Sequence, residues 1–482
     1  MTTQLPAHGR PRTEILEAME AARDHDVHWR DGKVWSLVFH AGDDVSAVAK
    51  DAYVAFFSEN GLNPTAFPSL RKFETEVVAM TADLLGGDPE TVGNMTSGGT
   101  ESILMAVKTA RDWARAHHPE RQPPEIVLPR SAHPAFDKAA HYFDVKLVKT
   151  PVGDDFRADV EAMRAAISEN TIMLVGSAPS YPQGVVDPIR EIAALAGERG
   201  LLCHVDACVG GFMLPFVRKL GYPIPDFDFS VPGVTSISVD LHKYGYAAKG
   251  ASVILYRTPA LRRFQFFVST DWPGGIYVSP TMTGTRPGGS IAAAWAVMNY
   301  LGEERYLQIA SEVMRTAVIL RDGVNATAGL SIMGHPHMSV MAIGSDAYDV
   351  FALGDEMGLR GWHLDRQQFP STLHLTVNYA HVHMADQFLH DLRQSVLTLR
   401  KPSLSKVSTS LQVGAVRLAS KVLPSSALSR LTSASSKFTG VKGASLPTRS
   451  AAMYGMMAEL PNRGDVDQLV LDLLDQMTRE DE

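Results

Sequence analysis

Between residues 90 and 330 short apolar runs alternate with helical stretches, and that alternation leaves the chain few architectures. The runs are Glu125-Ile-Val-Leu128, Val145-Lys-Leu-Val148, Thr171-Ile-Met-Leu-Val-Gly176, Leu201-Leu-Cys-His-Val205, Ser236-Ile-Ser-Val239 and Ser252-Val-Ile-Leu-Tyr256. Strands apolar along their whole length are buried on both faces, and the helices between them supply the cover. The expectation is an α/β domain built on a mostly parallel sheet. From about residue 331 shorter strands and two helices predict a small α+β domain, while residues 1–80 are helical in pattern, with turns at Gly42 and at Asn60-Gly61. The expected partition is therefore a helical arm over 1–80, a large α/β domain over 81–330 and a C-terminal unit over 331–482.

The string Ser236-Ile-Ser-Val-Asp-Leu-His-Lys-Tyr-Gly245 joins an apolar run to a His-Lys pair and places Lys243 where a strand of a covered sheet ends. Ligands of open α/β sheets bind at that edge. A lysine desolvated there is expected to move toward the neutral amine that imine chemistry needs. Upstream, Asp206 follows the run ending at Val205; a buried carboxylate needs a partner, and a protonated pyridine nitrogen is a suitable one. Further upstream, Thr96-Ser-Gly-Gly-Thr-Glu-Ser102 leads into Ile103, Val107, Ala110 and Ala114 at helical spacing. A glycine turn that opens a helix offers free N–H groups to an anion. Taken singly, these residues read as a surface lysine, a paired aspartate and a plain turn. In this chain order they match the needs of pyridoxal phosphate: an anchor, a partner for the ring nitrogen and an amine for the aldehyde.

Ser97-Gly-Gly-Thr-Glu-Ser102, His204-Val-Asp-Ala207 and His242-Lys243 resemble the group II pyridoxal-phosphate decarboxylase family. That resemblance implies the fold-type I architecture: a mostly parallel seven-stranded sheet flanked by helices, an N-terminal arm packed on a neighbouring subunit and a small C-terminal α+β domain. Longer strings, Ser131-Ala-His-Pro-Ala-Phe-Asp-Lys138, Asp240-Leu-His-Lys-Tyr-Gly-Tyr-Ala-Ala-Lys249, Asp271-Trp-Pro-Gly-Gly-Ile-Tyr277 and Gly284-Thr-Arg-Pro-Gly-Gly289, resemble its sphingosine-1-phosphate lyase branch. The likeness covers roughly residues 30 to 400 and returns near Ala451-Ala-Met-Tyr-Gly-Met456.

The resemblance implies a role for each matching residue. Lys243 would form the Schiff base, Asp206 would keep the pyridine nitrogen protonated, and His133 would stack over the ring. Gly99, Thr100 and His242 would hold the cofactor phosphate. Thr285 would reach that phosphate from a second subunit, giving a homodimer with shared active sites. Ser180 is a candidate for the ring hydroxyl, with a plain loop serine as the equal alternative. Lys249 resembles the position that meets the substrate phosphate. The implied reaction is a retro-aldol cleavage of a phosphorylated long-chain amino alcohol, such as sphingosine 1-phosphate, to a fatty aldehyde and phosphoethanolamine, with Lys249, the cofactor phosphate or Tyr246 as base. Asn60 and Asn63 belong to the segment that binds substrate in the lyases. Two positions depart from the pattern: Asn63 stands where a histidine is usual, and Phe39 where a phosphate-contacting tyrosine is usual. Either phosphate is held differently here or the substrate differs. An amino-acid decarboxylase of the same family is the first alternative and a non-catalytic lipid-binding homologue the second.

A net charge of −8 argues against nucleic acid as a partner. The two cysteines, Cys203 and Cys208, make no disulfide framework, and with scattered histidines they suggest no metal site. No apolar run reaches the roughly 20 residues of a membrane span, and residues 1–30 lack the apolar centre of a secretory signal, so the expected compartment is the cytoplasm. Residues 402–450 differ from their surroundings: serine is abundant, and no acidic residue occurs between Asp391 and Glu459. Over 403–423 a basic amphipathic helix would suit peripheral contact with an anionic membrane; a mobile lid or disordered insertion is the plainer reading.

Overall fold

The computed structural model describes residues 4–400 and, beyond them, single positions from Ala451 to Thr478; the insertion at 402–450, with the basic stretch 403–423, lies outside the described residues. Helices α1 (Arg12–Ala22), α2 (Asp43–Ala55) and α3 (Pro68–Leu84) come first. They lead into β1 (Val92–Thr96), α4 (Gly99–His117), β2 (Glu125–Pro129), α5 (Ala135–Phe143), β3 (Lys146–Thr150), α6 (Val160–Ala166) and β4 (Thr171–Ser177). The alternation continues through α7 (Ile189–Glu198), β5 (Leu202–Asp206), α8 (Leu214–Lys219), β6 (Ser236–Asp240) and β7 (Ser252–Tyr256).

These strands form one seven-stranded sheet in the order β1-β7-β6-β5-β4-β2-β3. β7 runs antiparallel to both its neighbours, and the other pairs are parallel. β4 to β7 are buried at every residue, as expected where helices cover both faces, whereas edge strand β3 exposes Lys146 and Lys149. The six apolar runs account for six of the strands. The seventh, β1, reads Val-Gly-Asn-Met-Thr and has no apolar run to announce it. Gly93 is required there by close approach, since a Cβ would collide with the Ile254 carbonyl of β7.

After β7 come α9 (Pro259–Arg262), the hairpin β8 (Phe267–Ser269) and β9 (Tyr277–Ser279), and α10 (Gly288–Asn325), which breaks at Gly302 where φ is +57°. The C-terminal unit holds β10 (Ser331–Ile332), β11 (Val340–Gly344), α11 (Val350–Gly358), β12 (Asp365–Gln367), β13 (Thr372–Thr376) and α12 (Ala385–Arg400). Its four strands pair antiparallel in the order β10-β11-β13-β12. Trp35 is fully buried at the centre of this unit's core, its ring 4.4 Å from Phe388 and 5.7 Å from Trp362, and Val34 bridges His363. Part of the segment expected as an arm is thus core material for the far end of the same chain. Among the described residues no helix is long and apolar enough to cross a membrane.

Candidate active site

Strand register brings the polar strand ends together. Ser177 of β4 pairs with Asp206 of β5, Asp206 with Ser238 of β6, and Asp240 of β6 with Ser252 of β7, which also faces Thr96 of β1. A cavity of about 500 Å³ opens beside this edge, and Gly99, Thr100, His133, Asp206, His242, Lys243 and Lys249 all line it. Seven residues singled out in the sequence therefore share one space, although they come from four separate stretches of chain.

One wall is the turn between β1 and α4. Gly98 gives α4 no side-chain cap, so the first-turn N–H groups, which have no partner within a helix, remain for a ligand. Gly99 has no room for a side chain: a Cβ would lie 2.7 Å from Cys208 Sγ and 2.8 Å from Asp240 Oδ1. Glu101 braces the turn, one carboxylate oxygen accepting from the N–H and hydroxyl of Ser97, both at 2.6 Å, and the other from the Met282 N–H at 2.9 Å. An N-terminal helix end with a glycine lining is an anion site. His242 stands beside it with Nδ1 2.7 Å from the Ala251 carbonyl. Nδ1 must donate to that carbonyl, so Nε2 becomes a donor only when the ring is an imidazolium. Burial lowers its pKa, and Asp240 opposes that shift.

Asp206 is buried at the end of β5, where Oδ1 accepts from the Cys208 N–H at 3.1 Å and the Ser238 hydroxyl at 3.3 Å. Among the described residues no cation lies within ion-pair distance of it. Lys243 behaves otherwise than desolvation alone would dictate. Burial pulls its pKa down, but Asp240, whose Oδ2 lies 2.8 Å from Nζ, leads the effects that raise it above the ordinary lysine value. The neutral-leaning amine expected from the sequence is thus an ammonium paired to a carboxylate that the sequence had not flagged.

Lys249 lies at the mouth. Its Nζ donates to the Leu37 carbonyl at 2.8 Å and lies 5.5 Å from the Phe39 ring centre. Desolvation, then the nearby Lys243 charge, lowers its pKa, and among the described residues it has no carboxylate partner. His133 accepts the Ala135 N–H through Nδ1 at 3.1 Å, which leaves the proton of a neutral ring on Nε2, free for the cavity.

The other predicted residues lie elsewhere. Tyr246 is buried in the main core, outside the cavity lining, with burial pushing its phenol well above the ordinary value. Ser180 does not line the cavity, whereas Ser177 does; the hydroxyls of both are buried without a partner among the described residues. Thr285 is exposed and meets Asn60 Nδ2 at 3.5 Å. Asn60 Oδ1 accepts from the N–H groups of Leu62 and Arg286 at 2.9 and 3.1 Å, and Asn63 Oδ1 caps Thr65 and Ala66 at 3.0 and 3.2 Å. Both asparagines shape their own loops, a use that Asn in a turn commonly has, and neither lines the Lys243 cavity. Ser177, Tyr181, Cys208 and Asp240 line it without having been picked out. Ser177 was the findable one, because it ends an apolar run in register with Asp206. Cys203 and Cys208 are free and buried, and burial pushes the Cys203 thiol up to about 12.

A sequence model of the pyridoxal-dependent decarboxylase conserved domain matches residues 2–343. The chain is 48% identical over 407 residues to a sphingosine-1-phosphate lyase of Arabidopsis thaliana, covering 83% of this chain and 74% of that protein. It is 45% identical over 407 residues to sphingosine-1-phosphate lyase 1 of Rattus norvegicus, covering 84% and 71%. A solved sphingosine-1-phosphate lyase of Burkholderia pseudomallei superposes with a TM-score of 0.80 at 40% identity, covering 83% of this chain and 94% of that one. Glutamate decarboxylase of Lactobacillus brevis, at 19% identity and a TM-score of 0.74 over 84% and 96% of the two chains, shares the fold.

Proposed function

Because this chain belongs to the pyridoxal-dependent decarboxylase family, we propose that it is a pyridoxal-phosphate carbon-carbon lyase. Its substrate is a phosphorylated long-chain amino alcohol of the sphingosine 1-phosphate type, cleaved to a fatty aldehyde and phosphoethanolamine. The cavity fits the cofactor on three counts: an uncapped glycine-lined helix start for the phosphate, a buried Asp206 with no cation at ion-pair distance among the described residues for the ring nitrogen, and at the end of β4 the Ser177 hydroxyl, which has no partner among the described residues. When bound, pyridoxal phosphate supplies an aldehyde that joins to amines and a ring that takes up the electron pair released at the amine-bearing carbon.

The chain's own residues do the rest. Gly99, Thr100 and His242, the last when its ring is protonated, would anchor the phosphate, Asp206 would hold the proton on the ring nitrogen, and His133 would cover the ring. Lys243 Nζ presents the amine that carries the cofactor. Which substrate bond is held perpendicular to the ring depends on where the rest of the substrate is anchored. Lys249, a cavity cation with no carboxylate partner among the described residues, is the observation that carries the lyase reading: it takes the substrate phosphate and so sets the carbon-carbon bond in line.

The proposal includes a homodimer in which Thr285, Asn60 and Asn63 serve a partner's cavity. The exposed apolar side chains Phe267, Val268, Trp272 and Ile276 of the β8–β9 hairpin region support an association there. It also includes a reducing, cytoplasmic setting, in keeping with two free cysteines. The test is aldehyde release from sphingosine 1-phosphate and from its unphosphorylated form. Turnover restricted to the phosphorylated substrate is expected. Equal turnover of both removes the phosphate assignment, and carbon dioxide from an amino-acid panel without any aldehyde selects the decarboxylase alternative.

A further inference from the structure

Asp240 ends β6 with 2% of its surface exposed and has four neighbours of consequence. Lys243 Nζ lies 2.8 Å from Oδ2 and His242 Nε2 3.8 Å from the same oxygen. The Ser252 hydroxyl, across the β6–β7 pairing, donates a short hydrogen bond to Oδ1. The fourth neighbour is the backbone of Gly99, so close that a Cβ there would sit 2.8 Å from Oδ1. The carboxylate is therefore wedged between the amine of Lys243 and the floor of the anion cup, with a hydroxyl fixing its plane. An unpaired charge in this position would be costly, so its partner is held firmly.

The geometry points to Asp240 as a positioning residue for Lys243: its carboxylate keeps the ammonium at the cavity floor whenever the amine is not joined to the cofactor. This rests on the reading of Lys243 given above and adds a residue to it. Two consequences follow. The freed lysine stays beside the cofactor site, because swinging away would strand a buried carboxylate. And the negative charge beneath Gly99 is neutralised locally, so it does not repel an anion in the cup. The charged and titratable groups facing Lys243 are Asp240, Cys208 and Asp206, with His242 and Lys249 on its own loop. Of these, only Asp240 touches its nitrogen at hydrogen-bond distance among the described residues.

The test uses the full chain stripped of cofactor with hydroxylamine and labelled briefly with acetic anhydride across a pH series. Peptide mass spectrometry reads the extent of modification at each lysine. In the wild type, Lys243 is expected to titrate above Lys249; the reverse order overturns the inference whatever any variant does. In Asp240→Asn, the Lys243 profile is expected to fall by roughly 1 to 3 pH units, to below that of an ordinary lysine, because burial then acts unopposed. The labelling rate near neutral pH rises by roughly tenfold or more with it. A profile superimposable on wild type overturns the inference. Lys108, held by the carbonyls of Phe264, Gln265 and Phe266 at 2.7, 3.0 and 3.1 Å, reports the fold: its protection persists in a folded variant. If that protection is lost, the wild-type order of Lys243 and Lys249 decides alone. Borohydride reduction of the cofactor-loaded wild type separates the two levels. A trapped cofactor at another lysine sinks the functional reading, while trapping at Lys243 with an unchanged Asp240→Asn profile sinks only the role of Asp240.

Discussion

The floor and the mouth of one cavity treat two lysines in opposite ways. Lys243 at the floor and Lys249 at the mouth sit on a single loop, and burial presses on both toward the neutral form. At the floor Asp240 more than offsets that pressure; at the mouth the same carboxylate acts from farther away, and the Leu37 and His242 carbonyls and the Phe39 ring are the contacts of the ammonium among the described residues. The difference comes from one carboxylate placed by strand register, and it teaches why two cations in one space need not compete. The first is committed to a partner inside the protein, and the second is left for a ligand.

The comparison can be broken most forcefully at the floor. Lys243→Ala is expected to lower aldehyde release by at least ~10³-fold, since it removes the amine that carries the cofactor; a variant with most of its activity would take the floor lysine out of the reaction. Asp206→Ala comes next, with kcat expected to fall by roughly 10²-fold or more. Stopped-assay kinetics at saturating cofactor would check it, and an unchanged kcat would mean that the ring nitrogen needs no partner here. At the mouth the effect should be smaller and of another kind. Lys249→Ala is expected to raise KM for the phosphorylated substrate by about 10- to 100-fold, the worth of one charged hydrogen bond. Borohydride-trapped cofactor should stay at the wild-type level. Loss of trapping in that variant would merge the two lysines into one function. The mildest change is Phe39→Tyr, which returns a hydroxyl beside Lys249 and is expected to lower KM by about 2- to 5-fold, the worth of a neutral hydrogen bond. A raised KM would place Phe39 away from the substrate phosphate.

Much of the floor was legible because its signals are local. An apolar run ending in Asp206 or leading to His242-Lys243 fixes a side chain at a sheet edge through strand periodicity alone, and Ser97-Gly-Gly-Thr100 before a helical pattern fixes an anion site through the same kind of short-range rule. β1 escaped because Gly93 answers to the carbonyl of a neighbouring strand, and Asn94 beside it accepts from Gln265, so the strand has no apolar run. Asp240 escaped for a related reason. An aspartate three residues before a lysine reads as loop chemistry, and only the β6–β7 register and the tight Gly99 turn reveal that it is buried. Trp35 carries no local sign that its partners are Trp362 and Phe388, more than three hundred residues away. At Asn60 and Asn63 a motif position suggests a ligand, and in this protomer both amides hold their own turns, with Asn60 reaching the Arg286 N–H as well.

The covalent bond between Lys243 and the cofactor can be sought directly. The protein is incubated with pyridoxal phosphate, reduced with borohydride and digested, and the modified peptide is sequenced by mass spectrometry. One reduced cofactor adduct is expected, on the side-chain nitrogen of Lys243. An adduct on Lys249 or on a surface lysine instead, or no adduct at saturating cofactor, would contradict it.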